Sequence, residues 1–72
     1  MRENYYHLLG IAPSASADEV KRAYRKLAKQ NHPDISPSPH AAQQFVRITE
    51  AYDTLSDPSR RAVYDYKLRR DR

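Results

Sequence analysis

Hydrophobic side chains in this chain recur three and four positions apart, and the pattern falls into four stretches. The first is short, Tyr5 to Leu9. In the second, Ala17 to Asn31, Val20, Ala23, Tyr24 and Leu27 share one side at roughly 100° per residue. The third begins near Ser38, and Ala41, Phe45, Ile48, Tyr52 and Leu55 form its apolar face. The fourth spans Pro58 to Lys67, with Ala62 expected to point inward beside Val63 or Tyr64. β-branched residues never alternate over a strand's length, so no strand is expected.

Local chemistry sets the limits of these stretches. Asn4 can cap the first, and Gly10 follows it where a left-handed residue is wanted. Ser16 and Glu19 have capping-box spacing before the second. Between the second and third, Pro33, Pro37 and Pro39 forbid a continuous helix. Ser38-Pro39 and Asp57-Pro58 each place a capping side chain before a proline suited to the first helical position. The two long helices carry facing apolar stripes joined by a short loop. The predicted fold is therefore all-α: a central antiparallel hairpin of helices two and three, covered by short first and fourth helices. Its expected core is Leu9, Val20, Leu27, Phe45, Ile48, Tyr52 and Leu55. Burial of Phe45 there would make Phe45→Ala cost about 3–5 kcal/mol.

Composition narrows the possibilities. Seventy-two residues, 39% hydrophobic and 31% charged, allow one small domain with a modest core. Without cysteine, neither a disulfide nor a thiolate metal site can staple it. Packing and helix caps must supply the stability. No apolar run has membrane-spanning length and no signal-peptide pattern opens the chain, so a cytoplasmic or other reducing compartment is expected. The six residues from Lys67 to Arg72 read as a basic tail after a domain of residues 1–66, where a longer parent would continue.

Thirteen basic against nine acidic residues give a net charge of +4. The surplus concentrates on the second helix, where Arg22, Arg25, Lys26 and Lys29 lie opposite the apolar stripe and Lys21 lies at its border. Past Glu19 this helix holds no acid. A face of one sign suits an acidic partner, whether protein, nucleic acid or anionic membrane.

His32-Pro33-Asp34 follows this basic helix at the start of the loop. A tripeptide is weak evidence by itself, but its setting gives it weight. Tyr5-Tyr6-His7-Leu8-Leu9-Gly10, then Val20 to Ala28 running into His32-Pro33-Asp34, then Phe45, Ile48, Ala51-Tyr52 and Leu55-Ser56-Asp57, then Arg60-Arg61-Ala62 and Tyr64-Asp65, occur in that order. Over Asn4 to Asp65 the sequence resembles the J-domain of the DnaJ-like, heat-shock-40 co-chaperones. Gln44 and Val46 flank Phe45 where that family often has charges, Asn4 stands for the usual aspartate, and Tyr66 and basic residues replace a Gly/Phe-rich tract.

The resemblance implies a co-chaperone module, not an enzyme, which binds a heat-shock-70 type chaperone, stimulates its ATP hydrolysis and supports protein folding, client loading and the stress response. It implies partner contacts at His32, Pro33 and Asp34, near the junction of the partner's ATPase domain and linker. It also implies an acidic partner surface for Lys21, Arg22, Tyr24, Arg25, Lys26 and Lys29. The spacing of Tyr24 also explains it as core. No cofactor is expected, and the domain should be monomeric in isolation. His7, His32 and His40 lie on separate segments without helical pairing, so no metal site is expected. A basic helical hairpin could also dock on nucleic acid. Against that, the turn is longer than a helix-turn-helix turn and proline-rich, and Asp34 would repel phosphate.

Overall fold

The structure is a computed structural model that describes residues 4–32, 34, 35 and 38–70. Its four helices are α1 (Tyr5–Leu9), α2 (Ala17–Asn31), α3 (Pro39–Leu55) and α4 (Pro58–Arg70), and no strand occurs among the described residues. Pro33 and Pro37 lie outside the described residues, as do Asp71 and Arg72 at the end of the expected tail.

The caps do what the sequence suggests. The Asn4 side chain accepts from the His7 N–H at 2.8 Å. Gly10 adopts φ 71°, ψ 34°, and its N–H donates to the His7 carbonyl while Ile11 donates to Tyr6. These two bonds form a Schellman ending, which glycine enters without a Cβ penalty. At α2 the Ser16 hydroxyl accepts from the Glu19 N–H at 3.2 Å, and the Glu19 carboxylate accepts from the Ser16 N–H at 3.0 Å. The backbone bond from Ser16 holds the Glu19 carboxyl below its ordinary value. The Ser38 hydroxyl accepts from Ala41 at α3, and the Asp57 carboxylate accepts from Ser59 at α4.

Helices α2 and α3 form the antiparallel hairpin. Tyr24 stacks on Tyr52 with centroids 4.3 Å apart, and His32 meets Phe45 edge-on at 5.8 Å. The chain thus advances along α2 while it retreats along α3. Tyr6, Leu9, Ala15, Val20, Ile48, Ala51 and Leu55 make the buried cluster. Leu27 and Tyr52 pack against it while part-buried.

Phe45 departs from the expected core. It is part-buried, stands apart from the cluster and faces His32 at the loop end. Its spacing places it on the correct side of α3, but the central cluster ends before that level. Helical period gives the side of a helix, not the distance at which its partner still covers it.

The fourth helix differs more. Ala62 is exposed and Val63 is 55% exposed, while Arg61, Tyr64, Asp65 and Leu68 lie on the covered side. No residue of α4 is buried, and its apolar residues share no single face. Periodicity therefore had little to register. What holds α4 is a polar and aromatic clasp. The Tyr6 hydroxyl donates to the Asp65 carboxylate. Arg61 Nε donates to the same hydroxyl at 3.1 Å, and its Nη2 donates to the carbonyls of Pro13 at 3.1 Å and Ala15 at 2.6 Å. The Tyr5 N–H, an orphan of the first turn of α1, donates to the Tyr64 hydroxyl at 2.8 Å. The Tyr5 and Tyr64 rings stack at 4.6 Å. The helix continues to Arg70, so Lys67 to Arg70 form its last turn where a tail was expected. Lys67, Arg69 and Arg70 suit the negative end of the helix dipole.

Two predictions follow from this packing. Leu55 is 2% exposed at the cluster's centre, so Leu55→Ala should cost about 2–5 kcal/mol in urea melts. Phe45→Ala should cost less than Leu55→Ala. A larger loss at Phe45 would contradict this placement of the core.

The second concerns the clasp. Tyr6→Phe removes the hydroxyl shared by Arg61 and Asp65 and should cost about 1–3 kcal/mol. Burial, together with the Asp65 carboxylate, raises the Tyr6 hydroxyl above its ordinary 10.0, and burial raises Tyr64 likewise. A group with a raised folded value keeps its proton in the native state after the unfolded chain has lost it. Its stabilisation is therefore full below pH 10.0 and is lost as pH rises through the raised values. Stability should fall in that alkaline range, and Tyr6→Phe should flatten the fall. An unchanged melting point at neutral pH together with an unchanged alkaline slope would refute the clasp.

Candidate functional site

The loop end of the hairpin collects most of the residues singled out from the sequence. Helix α2 ends at Asn31, whose side-chain amide donates back to the Leu27 carbonyl at 2.9 Å. His32 then leaves the helix with extended backbone, φ −62° and ψ 136°. Its carbonyl accepts from the Ile35 N–H at 2.9 Å, which closes a tight turn.

The His32 ring organises this turn. Its Nδ1 accepts from the Asp34 backbone N–H at 3.2 Å, which requires the neutral ring to carry its proton on Nε2. The ring also rests edge-on against Phe45. Its side chain is nevertheless 48% exposed. The Asp34 carboxylate lies 3.7 Å from His32 Nδ1 with its side chain 90% exposed, so it projects into solvent from a turn fixed by other atoms. Pro33 lies outside the described residues.

Beside the turn lies an open groove of about 490 Å³. Tyr24, Ala28, Phe45 and Ile35 give it an apolar floor, and Arg25, Lys29 and His32 border it. Tyr24 therefore serves both the hairpin packing and the surface, through its stack on Tyr52 and its place in the groove. Lys21, Arg22, Arg25, Lys26 and Lys29 are all exposed. The acids of α2, Asp18 and Glu19, remain in its first turn at the far end.

Two groove residues were not among the sequence candidates, Ala28 and Ile35. Ile35 is 65% exposed. Its signal was available: it is the one large apolar side chain in a polar loop bounded by prolines. Phe45, whose spacing predicts a core residue, floors this groove instead. Among the described residues no group of three metal-ligating side chains occurs. No helix among them is long and apolar enough to cross a membrane.

The DnaJ domain matches residues 4–65. The chain belongs to the DnaJ-domain family. Similar proteins include the "Chaperone protein DnaJ" of Listeria monocytogenes serotype 4a (strain HCC23), 58% identical over 64 residues. That of Halalkalibacterium halodurans is 53% identical over 64 residues. Each match covers 89% of this chain and 17% of the relative, so this J-domain spans about a sixth of the length of those chaperones. Among solved structures, the J-Trx1 fragment of ERdj5 superposes with a TM-score of 0.86 at 41% identity. That match covers 90% of this J-domain and 32% of the fragment. ERdj5 form II gives 0.84 at 40% identity, over 90% of this J-domain and 9% of that chain.

Three features thus lie together at one end of this J-domain: a projecting carboxylate, an apolar groove and a cationic helix face. Such a surface can pair a partner's cation at Asp34 and a partner's acids along α2. It can also seat an apolar side chain on the Phe45 floor between them.

Proposed function

We propose that this J-domain binds a heat-shock-70 type chaperone and stimulates its ATP hydrolysis, and so supports protein folding and client loading. The observation that carries this reading is the Asp34 carboxylate, 90% exposed beside the groove and on a turn that the backbone and His32 already hold. It needs a partner more than the fold needs it. The relatives' name, chaperone protein DnaJ, supports the same reading.

In this mechanism His32, Pro33 and Asp34 contact the chaperone near the junction of its ATPase domain and linker. Lys21, Arg22, Arg25, Lys26 and Lys29 meet an acidic surface and set the encounter rate and orientation, with Tyr24 in the contact. The J-domain performs no hydrolysis. It binds the hydrolysing arrangement of the chaperone more tightly than the resting one, and that difference in affinity shifts the population. The domain acts as a monomer, without cofactor, in the cytoplasm or another reducing compartment; the absence of cysteine is compatible with that placement. A nucleic-acid partner is disfavoured by the same carboxylate, which would face phosphate.

Two predictions test this. Asp34→Asn removes a charge and almost no volume, and leaves the backbone bond to His32 in place. The variant should melt like the parent yet fail to stimulate the chaperone's steady-state ATPase. A desolvated pairing with an arginine, once broken, costs about 2–5 kcal/mol in binding. That is roughly thirtyfold or more in affinity. Normal stimulation by a folded Asp34→Asn protein would falsify direct contact.

Replacing Arg25 and Lys26 together by alanine should weaken stimulation at low salt while helicity is retained, since both side chains are exposed. Raising the salt should narrow the gap between variant and parent, because ions already screen the parent's attraction. Equal stimulation by both proteins at low ionic strength would remove the steering role of α2.

A further inference from the structure

A second groove opens elsewhere on the domain, with a volume of about 400 Å³. It runs between α4 on one bank and α3 with the start of α1 on the other. Its floor is the stacked pair Tyr5 and Tyr64 together with Val63, which is 55% exposed. Arg60 and Lys67 stand on the α4 bank. They are seven positions apart, so they lie two turns or about 10 Å from each other on one face. Thr54 marks the α3 bank.

No residue is shared between the two grooves. On α3, Phe45 floors one and Thr54 lines the other. Nine positions separate them, which is two and a half turns of helix, so they face opposite sides. An occupant of either groove leaves the other free.

We propose that this second groove docks an acidic segment of a partner protein, bound by one apolar side chain on the Tyr5–Tyr64–Val63 floor and by carboxylates at Arg60 and Lys67. The charge around the groove selects this occupant. The α4 bank is cationic. At the head of that bank Asp57, which caps α4, lies 4.0 Å from Arg60, and on the α3 bank Glu50 sits exposed one helical turn before Thr54. A nucleic-acid backbone or an anionic bilayer spreads its negative charge evenly and would meet those two acids. A peptide sets discrete carboxylates against Arg60 and Lys67, the charged residues that line the groove, and stays uncharged beside Asp57 and Glu50. The floor asks for a side chain that neither a phosphate chain nor a lipid headgroup supplies. Aromatic and arginine side chains around an apolar floor are also the usual composition of protein contact sites.

The probe is a short synthetic peptide with one leucine between glutamates, titrated into the nitrogen-15-labelled chain. The titration is made in the Arg25→Ala/Lys26→Ala background, which weakens the competing basic face of α2. Amide shifts are expected at Tyr5, Thr54, Val63 and Lys67. Adding Arg60→Glu and Lys67→Glu should weaken this binding roughly tenfold or more, with unchanged circular dichroism. Val63→Ser, which alters no charge, should also weaken it. A peptide with serine in place of the leucine should bind worse to the unaltered groove. Shifts confined to α2 and the loop, or no shifts, would overturn the proposal. So would a thymidine oligonucleotide that produced the same groove shifts at lower concentration, since it would reassign the groove to nucleic acid. Chaperone stimulation by Arg60→Glu/Lys67→Glu in the otherwise unaltered chain should equal that of the parent. This separates the groove from the loop-end function.

Discussion

Helix α3 is the surface on which the other three helices rest, and its short buried face limits everything else. Ile48, Ala51 and Leu55 cover little more than two turns, and with Tyr6, Leu9, Ala15 and Val20 they are the whole central cluster. A chain of this size has no second layer to add, and this one has no disulfide to take its place. Where α3 runs past the cluster toward its N-terminal end, Ala41 alone among its described residues is buried, and Phe45, between Ala41 and the cluster, is only part-covered. Phe45 therefore becomes a groove floor. The candidate docking site lies beside Phe45, where the central cluster has ended.

The same shortage explains α4. Lacking an apolar face, it attaches through hydroxyls, a carboxylate and a guanidinium. The hydrogen bonds of Arg61 to the Pro13 and Ala15 carbonyls tie it to the loop after α1, and Asp65 ties it to Tyr6. Each bond contributes modestly, and each would cost more if left half made. This mode of attachment leaves Val63 exposed, which allows the second groove to form at the junction of α1 and α4.

Features governed by local chemistry were legible in the sequence. The caps at Asn4, Ser16, Ser38 and Asp57 need only neighbouring residues, so they place the helix starts, and α1 and α2 keep both expected limits. The cationic face of α2 was legible because helical period places charges as reliably as apolar residues. What was not legible depended on how far the partner helices reach. Phe45 has the spacing of a core residue, and nothing local shows that α2 has reached its last turn opposite it. The sequence reading turns Ala62 inward, whereas Arg61 is the inward residue through the carbonyls it meets. Ile35 could have been singled out as a misplaced apolar residue in a polar loop.

The location of the candidate site has an energetic consequence. His32 holds the turn through its ring nitrogen and its carbonyl, so the Asp34 side chain carries no part of the fold. A carboxylate free of structural duty can be tuned to a partner without loss of stability, and a partner can neutralise it without unfolding the domain. The basic face of α2 has the same freedom, since its cations lie opposite the stripe that packs. The candidate site therefore sits where the central cluster has ended, and substitutions there should alter melting little. The Tyr24–Tyr52 stack is where the two demands meet. Tyr24 borders the groove on one side and braces the hairpin on the other, so its loss would disturb both. A result at Tyr24 alone could not separate contact from stability, whereas one at Asp34 can.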